Sequence, residues 1–242
     1  MKKMQLIVMG CEYAGKRTLG RKIYEWWCSA TGEPISPLPT TGFHDHFVLP
    51  YVANHEEDES HKEQSEADIL KINPGLLEHY QRYQIQYHFQ RSFVNSPDLW
   101  LNGWYYAEAV YAPFYYGYGR PGEYGDRRQM AKLWDMEVLE LAPAMVLVLM
   151  KASPDVIQRR LRDHPRPKTI FEAKDAAYVS ERFQDEYDKS LLDRRFTLDT
   201  TNVTVEQSLY EFIEKVGPYL TKRDQLRLIS QQLKNTAAVP KK

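Results

Sequence analysis

Residues 10–18, Gly10-Cys11-Glu12-Tyr13-Ala14-Gly15-Lys16-Arg17-Thr18, come within one residue of the phosphate-cradling pattern G-x-x-x-x-G-K-[ST]. Their flanks have the required character. Residues 4–9 form a short apolar run of buried-strand length, and residues 19–28 continue as a helix with Leu19, Ile23 and Trp26 or Trp27 on one side. In a strand, glycine loop and helix of this kind the backbone turns its N–H groups onto phosphate oxygens. The helix N-terminus adds positive potential, and the lysine reaches the β and γ oxygens. Gly10, Ala14, Gly15, Lys16, Arg17 and Thr18 are therefore the candidate phosphate contacts. Arg17 stands where the pattern places the Mg²⁺-ligating hydroxyl, which here comes at Thr18, about 100° further round the helix. An ordinary Gly-containing strand-to-helix turn is the alternative reading of the same residues.

The chain has 242 residues, enough for one sizeable α/β domain with a real core. Its 32 Lys and Arg nearly balance its 33 Asp and Glu, so there is no global basic field to announce nucleic acid or an anionic membrane, and the expected partner is a small molecule. Cys11 lies in the loop and Cys28 on the helix after it; two such thiols make no disulfide framework and point to a reducing, cytoplasmic setting. The apolar stretch after Met1-Lys2-Lys3 is too short for a secretory h-region, and no run approaches membrane-spanning length.

Further strands are predicted at 99–101, 145–150 and 196–198, and helices at 74–93, 126–141, 154–163, 174–192 and 205–220. Ser153-Pro154 and Thr204 are helix-opening signals. Strands alternating with helices predict an α/β fold with a parallel sheet. The Pro-rich stretch 33–39 reads as an irregular connection into a second strand near 42–48, and residues 55–64 as a polar, solvated excursion. Residues 221–242 carry a short helical pattern, Leu226, Ile229 and Leu233, and then a basic end expected to fray.

Residues 105–120 hold seven aromatics and Arg120 directly after the third strand candidate. That density suits a substrate cleft, because open parallel sheets bind ligands beyond their strand ends and tyrosines stack on planar rings while their hydroxyls fix orientation. Tyr105, Glu108, Tyr111 and Arg120 are the candidate contacts. An aromatic helix packed into the core is the alternative for Tyr105, Val110 and Phe114, whereas Glu108 and Arg120 need charged partners in either case. His44 and His46 share a strand face but lack a third ligand at fixed spacing, so a structural zinc site is not expected.

The order of these features resembles the thymidylate kinase and deoxynucleoside kinase group of P-loop kinases. Beside the phosphate loop, Asn73-Pro74 followed by Tyr80-Gln81-Arg82-Tyr83 resembles the helix that offers a glutamine to the substrate base. Residues 145–166 resemble the strand, turn and Arg-rich lid of the group, with Arg159, Arg160, Arg162 and Arg166, and residues 199–206 resemble its last strand and the start of its C-terminal helix, where backbone borders the adenine. The resemblance spans about residues 4–220 and implies a three-layer P-loop NTPase fold, a parallel sheet with helices on both faces and an Arg-rich lid, as one domain over 1–220. Residues 221–242 would then be a helical extension with a frayed basic tail.

Under the resemblance, Lys16, Asp45, Arg160, Arg162 and Arg166 would be catalytic, with Asp45 as general base. Thr18 and Asp45 would attend Mg²⁺, and Gln81 with the tyrosines would select the acceptor. The alternative for Asp45 is a turn aspartate between surface histidines, and that for the arginines is a solvated helix face. The group's Asp-Arg-Tyr or Glu-Arg-Ser signature falls on Asn102-Gly103-Trp104, so a compensating cation would come from Arg120 or the lid. The implied activity is ATP- and Mg²⁺-dependent phosphoryl transfer to a nucleoside or nucleoside monophosphate. A non-catalytic nucleotide-binding protein and a kinase for an unrelated metabolite are the alternatives. The implied partners are a nucleotide and a small acceptor, without nucleic acid or membrane, and with a homodimer left open.

Overall fold

Every residue of β1 (Gln5–Met9) is buried, because the strand lies inside the sheet with a parallel neighbour on each side. The computed structural model describes residues 4–34, 71–90, 99–165 and 170–237. Among these, β2 (Leu99–Asn102), β1, β3 (Val146–Lys151) and β4 (Arg195–Asp199) form one sheet in the order β2-β1-β3-β4. Leu6 pairs with Trp100 on one side and Val146 on the other, and Val148 pairs with Phe196. The strand candidate near 42–48 and the polar stretch 55–64 lie outside the described residues.

Alternation along the strands divides the core in two, since successive side chains leave opposite faces of the sheet. Leu6, Val8, Val148 and Leu198 pack with α1 (Lys16–Thr31), α7 (Val205–Val216) and α8 (Lys222–Ala237). Ile7, Met9, Leu101 and Leu149 face the other core, built from α2 (Pro74–Tyr87), α3 (Trp104–Tyr111), α4 (Arg127–Leu141), α5 (Pro154–Asp163) and α6 (Ala176–Lys189). The result is an α/β sandwich of three layers.

Helix starts follow local chemistry. The side chains of Asn73, Asp126, Ser153 and Thr204 each accept a first-turn N–H, and Thr204 forms a reciprocal capping box with Gln207. α4 and α5 end as expected at Leu141 and Asp163, whereas other helix ends depart from the sequence expectation. α2 stops at Tyr87, short of 93, where His88, Phe89 and Gln90 turn on i→i−3 bonds and Phe89 packs its ring 4.6 Å from that of Trp104. α6 stops at Lys189, short of 192, because the Asp135 carboxylate takes the Leu191 N–H at 2.6 Å and the Ser190 hydroxyl at 3.0 Å. α7 gives way at Gly217 to a 3₁₀ turn containing Pro218. α8 runs through Ala237, well beyond the short pattern, and its inner side docks on α1: Arg227 bonds Glu33 and lies 5.8 Å from the Trp27 ring.

Candidate functional site

The loop between β1 and α1 is built around residues with positive φ. Gly10 has φ +143°, Tyr13 φ +60° and Gly15 φ +94°. A Cβ on Gly10 would sit 2.2 Å from the Met150 carbonyl oxygen, so the loop passes against β3 only with glycine there. Ala14 N–H closes a turn on Cys11 O at 3.2 Å, and α1 begins at Lys16. Lys16 folds back inside this turn: its Nζ donates to Gly10 O at 2.5 Å and to Cys11 O at 2.8 Å. An ammonium held by the loop's own carbonyls beside a helix N-terminus is an arrangement suited to an anionic ligand.

The loop opens on a cleft of about 510 Å³ at the C-terminal ends of the strands. Glu12, Lys16, Arg17 and Thr18 line it from the loop and α1. Asn102, Gly103, Ala107, Tyr111 and Phe183 line its β2 side, and Arg160, His164, Thr200 and Val203 the opposite side. Thr18 and Arg17 are both exposed and line this cleft, so the residue that carries the displaced hydroxyl still belongs to its wall. Among the described residues Glu12 is the carboxylate that lines it.

The β2 side explains the missing arginine. Gly103 has φ +79°, donates its N–H to Val8 O at 2.7 Å, and a Cβ there would lie 2.7 Å from the Ala107 Cβ. Trp104 follows with φ +44°, and its side chain turns inward, 1% exposed. An arginine at 103 has no space in this turn. Deeper in, Tyr111 is buried, and its hydroxyl has no hydrogen-bond partner among the described residues. Burial first, then the charge of Glu12, raises its pKa well above the usual phenol value, so it stays a neutral donor. Its ring meets Phe183 edge-on at 5.5 Å.

Of the residues expected at the site, Gly10, Gly15, Lys16, Arg17, Thr18, Tyr111 and Arg160 line the cleft, and Ala14 is buried behind it, its carbonyl accepting from Thr200 Oγ1 at 3.0 Å. Asp45 and Arg166 lie outside the described residues. Arg162 is exposed near the end of α5 and Gln81 is buried on α2, and neither lines the cleft. Tyr105 and Glu108 are corrected from cleft to core. Tyr105 donates to Asp135 at 2.7 Å, and Glu108 pairs with Arg127 at 3.2 Å; both side chains are fully buried. Arg120 is exposed on a turn, paired with Glu123 rather than with the cleft. Arg160 lines the cleft but is engaged with backbone, donating to Tyr13 O at 2.9 Å and Thr200 O at 2.7 Å.

The sequence reading missed Phe183, Thr200 and Glu12 as site residues. Glu12 was visible inside the loop pattern, and Thr200 follows a strand as site residues of open sheets do. Phe183 carried no local signal, for it reaches the cleft from the middle of α6. Among the described residues no group of three or more His, Cys, Asp or Glu could hold a metal ion, and no helix is long and apolar enough to cross a membrane.

No family model matches this sequence, and no curated protein matches it. Among solved structures the chain is similar to the YorR protein of Bacillus subtilis, crystallised in complex with phosphorylated GDP. The TM-score is 0.52 and the identity 15%, with 90% of this chain and 99% of that one covered. The fold is that of P-loop NTPases. At this identity the likeness speaks for the architecture alone, a parallel sheet between two helical layers.

Proposed function

We propose that this chain is a P-loop phosphotransferase that binds the phosphates of ATP in residues 10–18 and passes the γ-phosphoryl to a small acceptor, a nucleoside or nucleoside monophosphate. The observation that carries the reading is the left-handed loop with Lys16 folded inside it, opening on a cleft beyond the strand ends. The nucleotide in the YorR complex, on a similar fold, supports it. Lys16, Arg162 and Arg166 would neutralise charge on the phosphates, since phosphoryl transfer is mostly positioning and charge stabilisation. Tyr111 and Phe183 would meet the acceptor with one hydrogen-bond donor and one ring edge, Gln81 would assist in its selection, and Asp45 would orient its hydroxyl. Magnesium would supply charge neutralisation at the phosphates; the Thr18 hydroxyl at the cleft wall fits it as a protein ligand, and Asp45 would stand behind it. A cytoplasmic setting accompanies this reading, and both cysteines are free, buried thiols.

The test is phosphate transfer from labelled ATP to a pool of nucleosides, nucleoside monophosphates and unrelated metabolites, read by mass spectrometry. A phosphorylated product that is lost in Asp45→Asn, with ATP affinity kept, supports the kinase. Asn102 at the cleft wall, in place of an acidic residue, favours a rival, non-catalytic nucleotide binding. Tight ATP binding with no phosphorylated product from any acceptor would decide for that rival.

A further inference from the structure

We propose that Arg160 is a positioning residue, a brace that holds the phosphate loop in its left-handed shape, and not a group that touches the transferred phosphoryl. The inference rests on the reading of residues 10–18 as a phosphate site. Tyr13, in the middle of the loop, has φ +60°, a conformation that residues with a Cβ avoid unless their surroundings impose it. Two groups at the C-terminal end of α5 impose it, Arg160 in its last turn and His164 at its cap. Arg160 Nη1 donates to Tyr13 O at 2.9 Å, and the Tyr13 hydroxyl donates to His164 O, one helical turn on, at 3.1 Å. The peptide and the ring of Tyr13 are thus both tied to the C-terminal end of α5 and its cap.

A second route reaches the next residue of the loop. Arg160 also donates to Thr200 Oγ1 at 3.1 Å and Thr200 O at 2.7 Å, and the Thr200 hydroxyl lies 3.0 Å from Ala14 O. Thr200 is itself fixed to the sheet, its N–H on Lys151 O at 2.8 Å. The planar guanidinium therefore spans two backbone carbonyls and a hydroxyl on separate segments, a geometry that lysine, with a single point charge, does not reproduce. An arginine committed in this way carries no free fork toward a γ-phosphate. What it supplies is the loop conformation into which the phosphates fit.

The test uses the full chain and two readouts. In the nucleotide-free protein, Arg160→Met is expected to speed hydrogen exchange of the amides of residues 11–16 about tenfold, through loss of charge-assisted hydrogen bonds, while exchange in β3 stays unchanged. In calorimetric titrations, Arg160→Met is expected to weaken ATP and ADP by the same factor, about tenfold. Adding Tyr13→Gly recovers most of that loss, since glycine takes the left-handed conformation unaided. Arg160→Lys fails to restore affinity, and Thr200→Val gives a weaker version of the same pattern. A loss confined to ATP, or loop exchange unaltered in both Arg160 variants, overturns the brace. If the wild-type protein binds neither nucleotide, the phosphate-site reading fails, and the exchange comparison still decides the role of Arg160. Should Arg160→Met not fold, Arg160→Lys and Thr200→Val carry both measurements.

Discussion

Arg127 Nη1 donates to Glu78 Oε1 at 2.8 Å, with both side chains buried, and so ties α4 to α2 across 49 residues of sequence. The same guanidinium donates to Glu108 Oε1 at 3.2 Å and to Glu78 O at 3.2 Å, and lies over the rings of Tyr118 and Trp134. Removing the cation leaves two buried carboxylates without it, which is the costly way to break such a cluster. Arg127→Met is expected to destabilise the fold by about 3–5 kcal/mol, measured from urea unfolding midpoints and slopes.

Gly10→Ala places a methyl group 2.2 Å from the Met150 carbonyl oxygen and asks alanine to adopt φ +143°. Neither β1 nor β3 can retreat, since both are paired inside the sheet. The variant is expected to lose at least about 2 kcal/mol and its nucleotide affinity together, read by thermal unfolding and titration.

Lys16→Ala separates binding from folding. The side chain is part-buried and its bonds go to two loop carbonyls at the cleft wall, which water can then satisfy. ATP or GTP affinity is expected to fall at least about tenfold with the melting temperature little changed. Undiminished affinity in calorimetry would refute the phosphate-loop assignment.

Tyr111→Phe is expected to stabilise the ligand-free protein by about 1 kcal/mol, because a buried hydroxyl without a partner among the described residues carries its desolvation cost uncompensated. Under the proposed function the same change should raise KM for the acceptor while leaving KM for ATP unchanged, since the phenol would be the donor to the acceptor. Opposite signs on stability and on acceptor affinity are the signature of a group kept for a ligand.

Burial, opposed in part by Lys16, pushes the Cys11 thiol from 9.0 to about 12. The folded state then keeps a proton that the unfolded chain gives up, so stability from the neutral thiol is fully present below pH 9 and is lost as pH rises toward about 12. Cys11→Ala should show a shallower loss of stability over that window in urea midpoints. Iodoacetamide should leave Cys11 unmodified at pH 8 in the folded protein, as judged by mass spectrometry.

The strand, glycine turn and helix around residues 10–18, the strands around 99, 146 and 196, and the starts of the helices at Pro74, Arg127, Pro154 and Val205 are legible in the sequence, whereas the helix Trp104–Tyr111 is not among those predicted. Apolar runs, helical periodicity and residues such as Asn73, Asp126, Ser153 and Thr204 act within a few positions of themselves, and that range is what a linear pattern encodes. Helix ends were less legible. α6 ends where Asp135, 55 residues before Ser190, takes up the hydroxyl of its cap. The roles of the charged side chains lay further out of reach. Glu108 was recognised as a charge in need of a partner, but whether that partner was a ligand or Arg127 depended on α3 and α4 packing on the same face of the sheet. Arg160 stands in an arginine-rich run that reads as a lid, and its hold on Tyr13, 147 residues away, exists only because α5 ends beside the loop of residues 10–18 in the finished fold. Local pattern determines where elements form and where a backbone loop can turn. Which long side chain meets which distant carbonyl is decided by the order of the strands, since that order alone sets which segments become neighbours.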